Sequence, residues 1–163
     1  MRFKFCPVCG NVLSNKNIEC EGSVPFCLKC DKLYIPQSSP CVFAVIKYLD
    51  KILLIKQSYI STNYVLVAGH VKQMMSAEQA IEEEILEEVG LNISKVLYIN
   101  SYYHQKTDHL MLGFYVEAYG TVRLNNEVAS YDLFDKDEAI LKLSESKSAK
   151  YLLKDIISRG ILW

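Results

Sequence analysis

Residues 84–90 read Glu84-Ile85-Leu86-Glu87-Glu88-Val89-Gly90, and this stretch says more about the fold than any other part of the chain. On an α-helix, Glu84, Glu87 and Glu88 are spaced i, i+3 and i+4, which places the three carboxylates on one face. Like charges at this spacing repel each other by roughly 0.2–0.5 kcal/mol per pair. A divalent cation that prefers oxygen ligands, such as Mg²⁺ or Mn²⁺, turns that repulsion into a binding site. The alternative is a solvated acidic helix face, which is the usual structure for a run of charges.

The residues ahead of this stretch predict where its helix begins and what precedes it. Ser76 followed three residues later by Gln79 is typical of a capping box, and Gly90 is typical of a helix end. The earlier segment Ala68-Gly69-His70 is interpreted as a turn, with its glycine fifteen residues before Glu84. Glycine there frees backbone N–H groups to approach a phosphate, and a plain turn without such a role is the alternative.

Hydrophobic patterning in the rest of the chain predicts an α/β domain with a mixed sheet. Strands are expected at residues 41–49, 52–55, 64–67, 93–103 and 109–119, and closing helices at residues 135–143 and 147–159. A turn at Asp50-Lys51 joins the first two strands into a hairpin. Residues 34–40 contain two prolines and small polar side chains, so they are interpreted as a linker. We therefore expect a small unit at residues 1–37 and a larger domain at residues 38–163.

The composition argues against several classes of protein. The 163 residues are 50% hydrophobic and carry a formal net charge of −1, which gives no electrostatic reason to expect binding to nucleic acid or to an acidic membrane. No apolar run approaches the roughly 20 residues of a membrane span, and the first residues lack the apolar core of a secretory signal. We expect a cytoplasmic protein whose partner is a small molecule, and the sequence leaves a homodimer open.

Four of the six cysteines form two Cys-x-x-Cys pairs with seventeen residues between the pairs: Cys6, Cys9, Cys27 and Cys30. This spacing is typical of a zinc ribbon, because each pair turns tightly enough to aim both sulfurs at one ion. A redox-active dithiol is the alternative, although redox motifs do not usually occur as matched pairs. The remaining Cys20 and Cys41 are expected to be ordinary small side chains. A unit of this size cannot bury a sufficient core, so zinc is expected to supply much of its folding energy.

The acidic helix and the glycine before it resemble the Nudix box. That family pattern reads Gly, five residues, Glu, seven residues, Arg-Glu, an aliphatic residue, any residue, Glu-Glu, any residue, Gly and an aliphatic residue. The chain fits this spacing from Gly69 to Leu91 without a gap. Two charged positions differ, because Met75 stands where the family has the first Glu and Glu83 where it has Arg.

Sequences on either side of the box extend the resemblance to the NADH pyrophosphatase branch of the Nudix hydrolases. Members of that branch carry a four-cysteine zinc ribbon immediately before the Nudix domain. Their catalytic loop continues into a Glu-Gln-Ala helix start, which is matched at residues 78–80. A later Leu-Met-Leu-Gly-Phe strand of the branch is matched at residues 110–114.

The substrate motif of that branch is not retained. The family has Ser-Gln-Pro-Trp-Pro-Phe-Pro before the matched strand, whereas residues 101–107 keep only the serine. The rigid platform that reads NADH in the family is therefore missing. Tyr102, Tyr103 and His104 can stack on a base in its place, and packing of these side chains against the fold is the alternative.

The resemblance implies a Nudix-type α/β/α sandwich with a mixed sheet, preceded by a small zinc ribbon. It also implies a hydrolase that uses metal-activated water to cleave the diphosphate linkage of a nucleoside diphosphate derivative, of the NADH, ADP-ribose or nucleotide-sugar type. Carried over by position, Glu84, Glu87 and Glu88 hold Mg²⁺ or Mn²⁺, and Gly69 belongs to the same cofactor-binding set. Glu127 matches a later family glutamate near the metals, and a plain surface acid is the alternative. The four paired cysteines hold a structural zinc ion.

The two departures from the box set the alternatives for activity. In the family, the first Glu and the Arg form an ion pair that braces the helix against its loop, and here Met75 and Glu83 remove both ends of that pair. Packing of Met74 and Met75 is expected to brace the loop instead. Activity is then expected to be weak, and a catalytically silent module that senses a nucleotide is the alternative. A ribbon-driven module for nucleic acid or protein is a third interpretation, weakened by the absence of a basic stripe.

Overall fold

The structure, a computed structural model, describes residues 3–59, 63–143 and 147–162. The chain divides into two compact units, residues 1–38 and residues 39–163. The smaller unit carries the paired cysteines, and the larger unit carries the acidic helix.

The smaller unit is a three-stranded antiparallel sheet with little apolar interior. Its strands are β1 (Ser14–Ile18), β2 (Gly22–Cys27) and β3 (Lys32–Leu33), in the order β1-β2-β3. The sequence patterns did not predict these strands, because most of their side chains are exposed and show no apolar alternation. Among the described residues of this unit, the buried apolar side chains are Cys6, Val24, Phe26 and Cys27. Two of these four are cysteines of the pairs, so the interior of the unit is largely the cysteine cluster itself.

The larger unit is built on a six-stranded mixed sheet. Its strands, in chain order, are β4 (Ser39–Tyr48), β5 (Lys51–Gln57), β6 (Val67–His70), β7 (Asn92–His104), β8 (His109–Tyr119) and β9 (Val128–Phe134). The spatial order is β7-β8-β4-β5-β9, and β6 pairs with β4. Strands β4 and β8 are parallel, whereas the other pairs are antiparallel. The mixed sheet predicted from the sequence is confirmed, and β9 is a strand that the sequence patterns did not predict.

Helices cover both faces of this sheet. They are α1 (Ala77–Val89), α2 (Lys136–Lys142) and α3 (Lys147–Ser158). On one face, Ile81 of α1 belongs to a buried cluster with Val42, and on the other face Leu152 of α3 belongs to a cluster with Phe43. Successive residues of β4 are thus buried on opposite faces, as expected for a strand in a sheet covered on both sides. The α/β/α sandwich is confirmed, and no helix formed by the described residues is long and apolar enough to span a membrane.

The two ends of α1 are those predicted from the sequence. Ser76 Oγ accepts a hydrogen bond from the Gln79 backbone N–H, and the Gln79 side chain accepts one from the Ser76 N–H. Gly90 ends the helix in the left-handed conformation, with φ at 68°, where glycine carries no steric penalty. The acidic helix therefore has defined ends and a defined register.

Strand β6 differs from the prediction and changes the interpretation of Gly69. Of the strand predicted at residues 64–67, only Val67 belongs to β6, and Val65 forms an isolated bridge to β5. Gly69 lies inside β6, so the predicted turn around this glycine is wrong. The position of β6 is set by its pairing with β4, which the local apolar pattern could not reveal.

Candidate active site

The three glutamates of α1 differ in exposure although they share a face. Glu88 is buried, with 3% of its surface exposed, whereas Glu84 is half-buried and Glu87 is exposed. The rotation of the helix is set by Ile85 and Val89, which are both fully buried against the sheet. The predicted metal ligands therefore include one carboxylate in the interior and one at the surface.

The carboxylate of Glu88 is the least satisfied polar group near the helix. Its Oε2 atom is buried and has no hydrogen-bond partner among the residues that the structure describes. Burial raises the pKa of this group to about 8, with smaller contributions from the charges of Glu84, Glu127 and Glu87. An ionised carboxylate buried without a partner is strongly disfavoured. A divalent cation with oxygen ligands fits this arrangement, because it offsets both the burial and the mutual repulsion.

Gly69 makes room for a second carboxylate. A Cβ atom at this position would lie 1.9 Å from Cδ of Glu84, a distance that no side chain could tolerate without moving the carboxylate. The backbone of Gly69 is ordinary β-strand, so its lack of a side chain matters and its conformational freedom does not. Burial raises the pKa of Glu84, and the charge of Glu87 raises it further, while Lys72 lowers it.

A cavity of about 400 Å³ opens beside these carboxylates. Its lining includes acidic, basic and imidazole side chains together with a thiol: Cys41, His70, Lys72, Glu84, Glu88, His109 and Glu127. Three predicted site residues, Glu84, Glu88 and Glu127, are thus brought together, and Gly69 lines the same cavity. Glu87 does not line it.

Lys72 forms an ion pair with Glu83, the residue that stands where the Nudix box has arginine. Its ammonium group lies 2.8 Å from Oε2 of Glu83 and 3.6 Å from Oε1 of Glu87. The bond to Glu83 is the main reason that the pKa of Lys72 is raised. The ion pair joins the loop after β6 to helix α1, with the cation on the loop and the acid on the helix. Sequence reasoning missed it, although a lysine in the loop eleven residues before the out-of-place Glu83 was an available signal.

The methionine brace expected from the sequence is wrong for one of its two residues. Met74 is fully exposed and has a positive φ of 61°, so it packs against nothing that could fix the loop. Met75 is partly buried and packs against the cluster that contains Ile81 and Ile85. The left-handed backbone of Met74 directs its side chain into solvent, whereas the side chain of Met75 points back to the core.

The aromatic residues that stand in place of the substrate motif differ in their surroundings: Tyr102 packs against the fold, and Tyr103 is exposed. Tyr102 donates a hydrogen bond to Asp155, and its ring meets the ring of Phe43 edge to face at 5.8 Å. Tyr103 is exposed, and His104 Nδ1 lies 2.7 Å from the Thr107 hydroxyl. A second cavity of about 570 Å³ lies beside them, lined in part by Tyr102, Tyr103, His104, Lys106, Lys147 and Tyr151. This cavity offers aromatic faces and two cations.

The four paired cysteines converge on one point in the smaller unit. Their sulfur atoms all lie within 4.8 Å of one another, with 3.6 Å between Cys9 and Cys27 and 3.9 Å between Cys6 and Cys30. All six cysteines are free thiols. Four sulfurs in a compact group are the ligand set of structural zinc sites, so these residues can hold the predicted ion. Cys20 is exposed and lies outside the group.

A further group that can hold a metal lies in the larger unit. Ligand atoms of Cys41, His70 and His109 also lie within 4.8 Å of one another. Sequence reasoning assigned Cys41 no role and did not consider either histidine. Among the described residues, the carboxylate oxygens of Glu84, Glu87 and Glu88 do not all come this close to one another.

Residues 38–156 match the NUDIX domain, and the chain belongs to this family. Similar proteins include the NAD-capped RNA hydrolase NudC of Klebsiella pneumoniae subsp. pneumoniae, which is 27% identical over 158 residues, 95% of this chain and 60% of the relative. The NAD-capped RNA hydrolase NudC of Citrobacter koseri is 30% identical over 115 residues, 70% of this chain and 44% of the relative. The chain therefore spans about three fifths or less of the length of these relatives.

Solved structures support the fold. A NUDIX hydrolase from Nitrosomonas europaea superposes with a TM-score of 0.75 at 20% identity, covering 96% of this chain and 91% of that chain. The E. coli ORF135 protein superposes with a TM-score of 0.62 over 75% of this chain and 90% of that chain, also at 20% identity. At this level of identity, the agreement concerns the fold alone.

Proposed function

We propose that this protein is a pyrophosphohydrolase that cleaves the diphosphate linkage of a nucleoside diphosphate derivative. Glu84, Glu87 and Glu88 are the proposed ligands of Mg²⁺ or Mn²⁺, and Glu127 is the proposed fourth acid of the site. Residues 1–37 form the proposed zinc ribbon, with zinc held by its four paired cysteines, and residues 38–163 form the hydrolase domain.

The buried carboxylate of Glu88 carries this proposal. An unpartnered acid in the interior, next to other acids, is tolerated in its protonated form or beside a cation, and a strongly raised pKa at a cavity is typical of a functional site. The alternative of a solvated acidic face does not apply to Glu88, because 3% of this residue is exposed and its Oε2 has no described partner. Membership of the NUDIX domain family supports the same conclusion from a separate direction.

The residues around the cavity have distinct proposed roles in the reaction. A diphosphate carries negative charge that repels an incoming nucleophile, and a bound divalent cation would neutralise that charge and lower the pKa of water. Lys72 adds a positive charge at the cavity wall and holds the loop to the helix through Glu83. Gly69 leaves space for the Glu84 carboxylate beside the strand. Glu127 is an exposed acid that lines the same cavity as Glu84 and Glu88, and it is suited to accept a proton from water.

The proposed substrate is an NAD-type dinucleotide, either free or attached to RNA. The relatives are named NAD-capped RNA hydrolases, and the cavity beside Tyr103 and His104 offers aromatic faces on which a base can stack. Because those relatives act on an RNA cap, the earlier expectation that nucleic acid is not a partner is not retained here. The missing Pro/Trp motif favours a base-binding mode that differs from that of the NADH pyrophosphatase branch.

A substrate screen tests the proposed function. The full chain is incubated with NADH, NAD-capped RNA, ADP-ribose and nucleotide sugars, with Mg²⁺, with Mn²⁺ and without either ion, and the two phosphate-bearing products are separated by chromatography. We expect cleavage between the two phosphorus atoms of at least one substrate, dependent on the added ion. Tight binding of a dinucleotide without any product would instead support the silent sensor, which the departures at Met75 and Glu83 favour.

A further inference from the structure

Three strands bring Cys41, His70 and His109 together at one end of the larger sheet. Cys41 of β4 is the antiparallel register partner of His70 on β6. His109 on β8 is the parallel partner of Ser39, which precedes Cys41 by two residues on β4. Paired residues and residues two apart point to the same side of a sheet, so all three side chains share one face. Glu84, in contrast, packs over Gly69. Gly69 is adjacent to His70 along β6, so these two residues face opposite sides of the sheet.

The ligand chemistry of this group differs from that of the glutamates. One thiol and two imidazoles form a soft to borderline set that prefers zinc and related transition metals, whereas Mg²⁺ prefers oxygen. Cys41 is buried, His109 is half-buried and His70 is exposed, so an ion can enter from the side of the exposed imidazole. The rings of His70 and His109 meet edge to face with centroids 5.1 Å apart. Among the described residues, neither ring has a hydrogen-bond partner, which leaves their nitrogen atoms available.

We propose that Cys41, His70 and His109 form a transition-metal site of the zinc class, with a fourth position open to the cavity that Glu84 and Glu88 also line. Three protein ligands and one open position are the arrangement of reactive zinc sites, in contrast to the closed four-ligand sites of structural zinc. An anionic oxygen of a phosphate, or water, suits the open position. This site does not depend on the proposed hydrolase activity, because metal binding by these three side chains is measurable without any substrate.

The experiment measures zinc on the full chain, in an excess of Mg²⁺ that occupies carboxylate sites. After titration with zinc against a competing chelator, the parent protein is expected to hold one ion at the ribbon and one further ion at Cys41, His70 and His109. The variants Cys41→Ser, His70→Phe and His109→Gln should each lose the further ion and keep the ribbon ion. His104→Gln is the matched control, because His104 is the cross-strand partner of His109 yet belongs to no such group.

Cobalt substitution identifies the ligands of the further ion directly. Difference absorption spectra between the parent and His70→Phe should show a thiolate-to-cobalt charge-transfer band, as expected for one sulfur and two nitrogen ligands. His70 is exposed, so this variant is expected to keep the fold, which circular dichroism checks. Binding of the ribbon ion alone would overturn the proposal. So would a further ion that survives Cys41→Ser and is lost in Glu88→Gln, because it would then belong to the carboxylates.

Discussion

The four cysteines of the smaller unit and the glutamates of α1 show two ways in which a fold can position proposed metal ligands. The cysteine sulfurs lie within 4.8 Å of one another in a unit whose buried apolar residues include two of those same cysteines. The glutamates stand on a helix whose Ile81 and Ile85 are fully buried in a large apolar cluster. In the first region the ligands form the interior, and in the second an independent interior positions the ligands. Loss of metal is therefore expected to unfold the first region and only to inactivate the second.

The largest effect is expected from Cys9→Ala. This change removes one of the four proposed zinc ligands, and structural zinc contributes on the order of 10 kcal/mol to the folding of such small units. We expect the variant to lose the ribbon ion and the ordered structure of residues 1–38, while residues 39–163 stay folded. Zinc analysis and amide hydrogen exchange, resolved by segment, measure both outcomes. Cys20→Ala is the control, and a Cys9→Ala protein that retains the ion would contradict the comparison.

Next in size are Glu88→Gln and Glu87→Gln, which should lower turnover without unfolding the protein. Loss of the proposed metal ligand Glu88 is expected to lower kcat about a hundredfold or more. Each tenfold decrease corresponds to about 1.36 kcal/mol of transition-state stabilisation. The effect of Glu87→Gln should be smaller, because Glu87 is exposed and does not line the cavity.

Glu82→Gln serves as the control for both glutamate variants. Glu82 is an exposed acid on the same helix and does not line the cavity. Steady-state kinetics on the best substrate give the comparison, with thermal unfolding as the check on folding. Full turnover in both Glu87→Gln and Glu88→Gln would mean that the metal site lies elsewhere.

A third effect is a dependence of stability on pH in buffer without added divalent cations. The pKa of Glu88 is raised from 4.5 to about 8 by burial, so the folded protein keeps a proton that the unfolded chain has already lost within that window. The free energy of unfolding contributed by protonated Glu88 is fully present below the unfolded-state pKa of 4.5. It is lost as pH rises towards the folded-state pKa of about 8. The expected slope is about 1.4 kcal/mol per pH unit.

Denaturant unfolding at several pH values measures this slope. Glu88→Gln should remove it, because glutamine does not ionise, whereas Glu82→Gln should leave it unchanged. Added Mg²⁺ should restore stability at the alkaline end, since a cation favours the ionised carboxylate. A parent protein whose stability rises with pH across the same window would show that Glu88 is not held protonated by burial.

The smallest effect is expected at the brace between loop and helix. Replacing Met75 by Glu and Glu83 by Arg restores the family pair but places a cation beside Lys72, so kcat should fall several-fold. Glu83→Gln alone should also lower kcat, because it breaks the 2.8 Å bond to Lys72. Kinetics of the parent and of these two variants on one substrate make the test. A double variant faster than the parent would mean that the Lys72 pair does not hold the loop.

The parts of the fold that local sequence determines were predicted well. The capping box of Ser76 and Gln79 and the terminal Gly90 fix α1 by contacts within a few residues, so they can be read directly. The buried run that begins at Cys41 predicts a central strand, because both of its faces are covered. Strand β6 was misplaced because its position depends on pairing with residues of β4 that lie more than twenty positions earlier in the sequence.

Local sequence patterns predicted the part of the candidate site that one helix carries, and the resemblance to the Nudix hydrolases supplied Glu127, whereas side-chain contacts between elements were not predicted. The glutamates of α1 follow from helical spacing alone. The Lys72–Glu83 pair joins a loop to a helix, and the group formed by Cys41, His70 and His109 joins three strands. Such contacts follow from topology, so only the folded structure brings them together.

Gly69 is needed for the position of the Glu84 carboxylate at the cavity and not for the backbone conformation of the strand. Because the backbone there is ordinary strand, alanine satisfies the fold, and the flexible Glu84 carboxylate can move aside from the added Cβ. A library selected for stability alone should therefore accept alanine at this position, whereas one selected for turnover should return glycine. Sequencing both pools after selection would measure the difference. The glycine at position 69 thus lets the Glu84 carboxylate lie directly against the backbone of the strand.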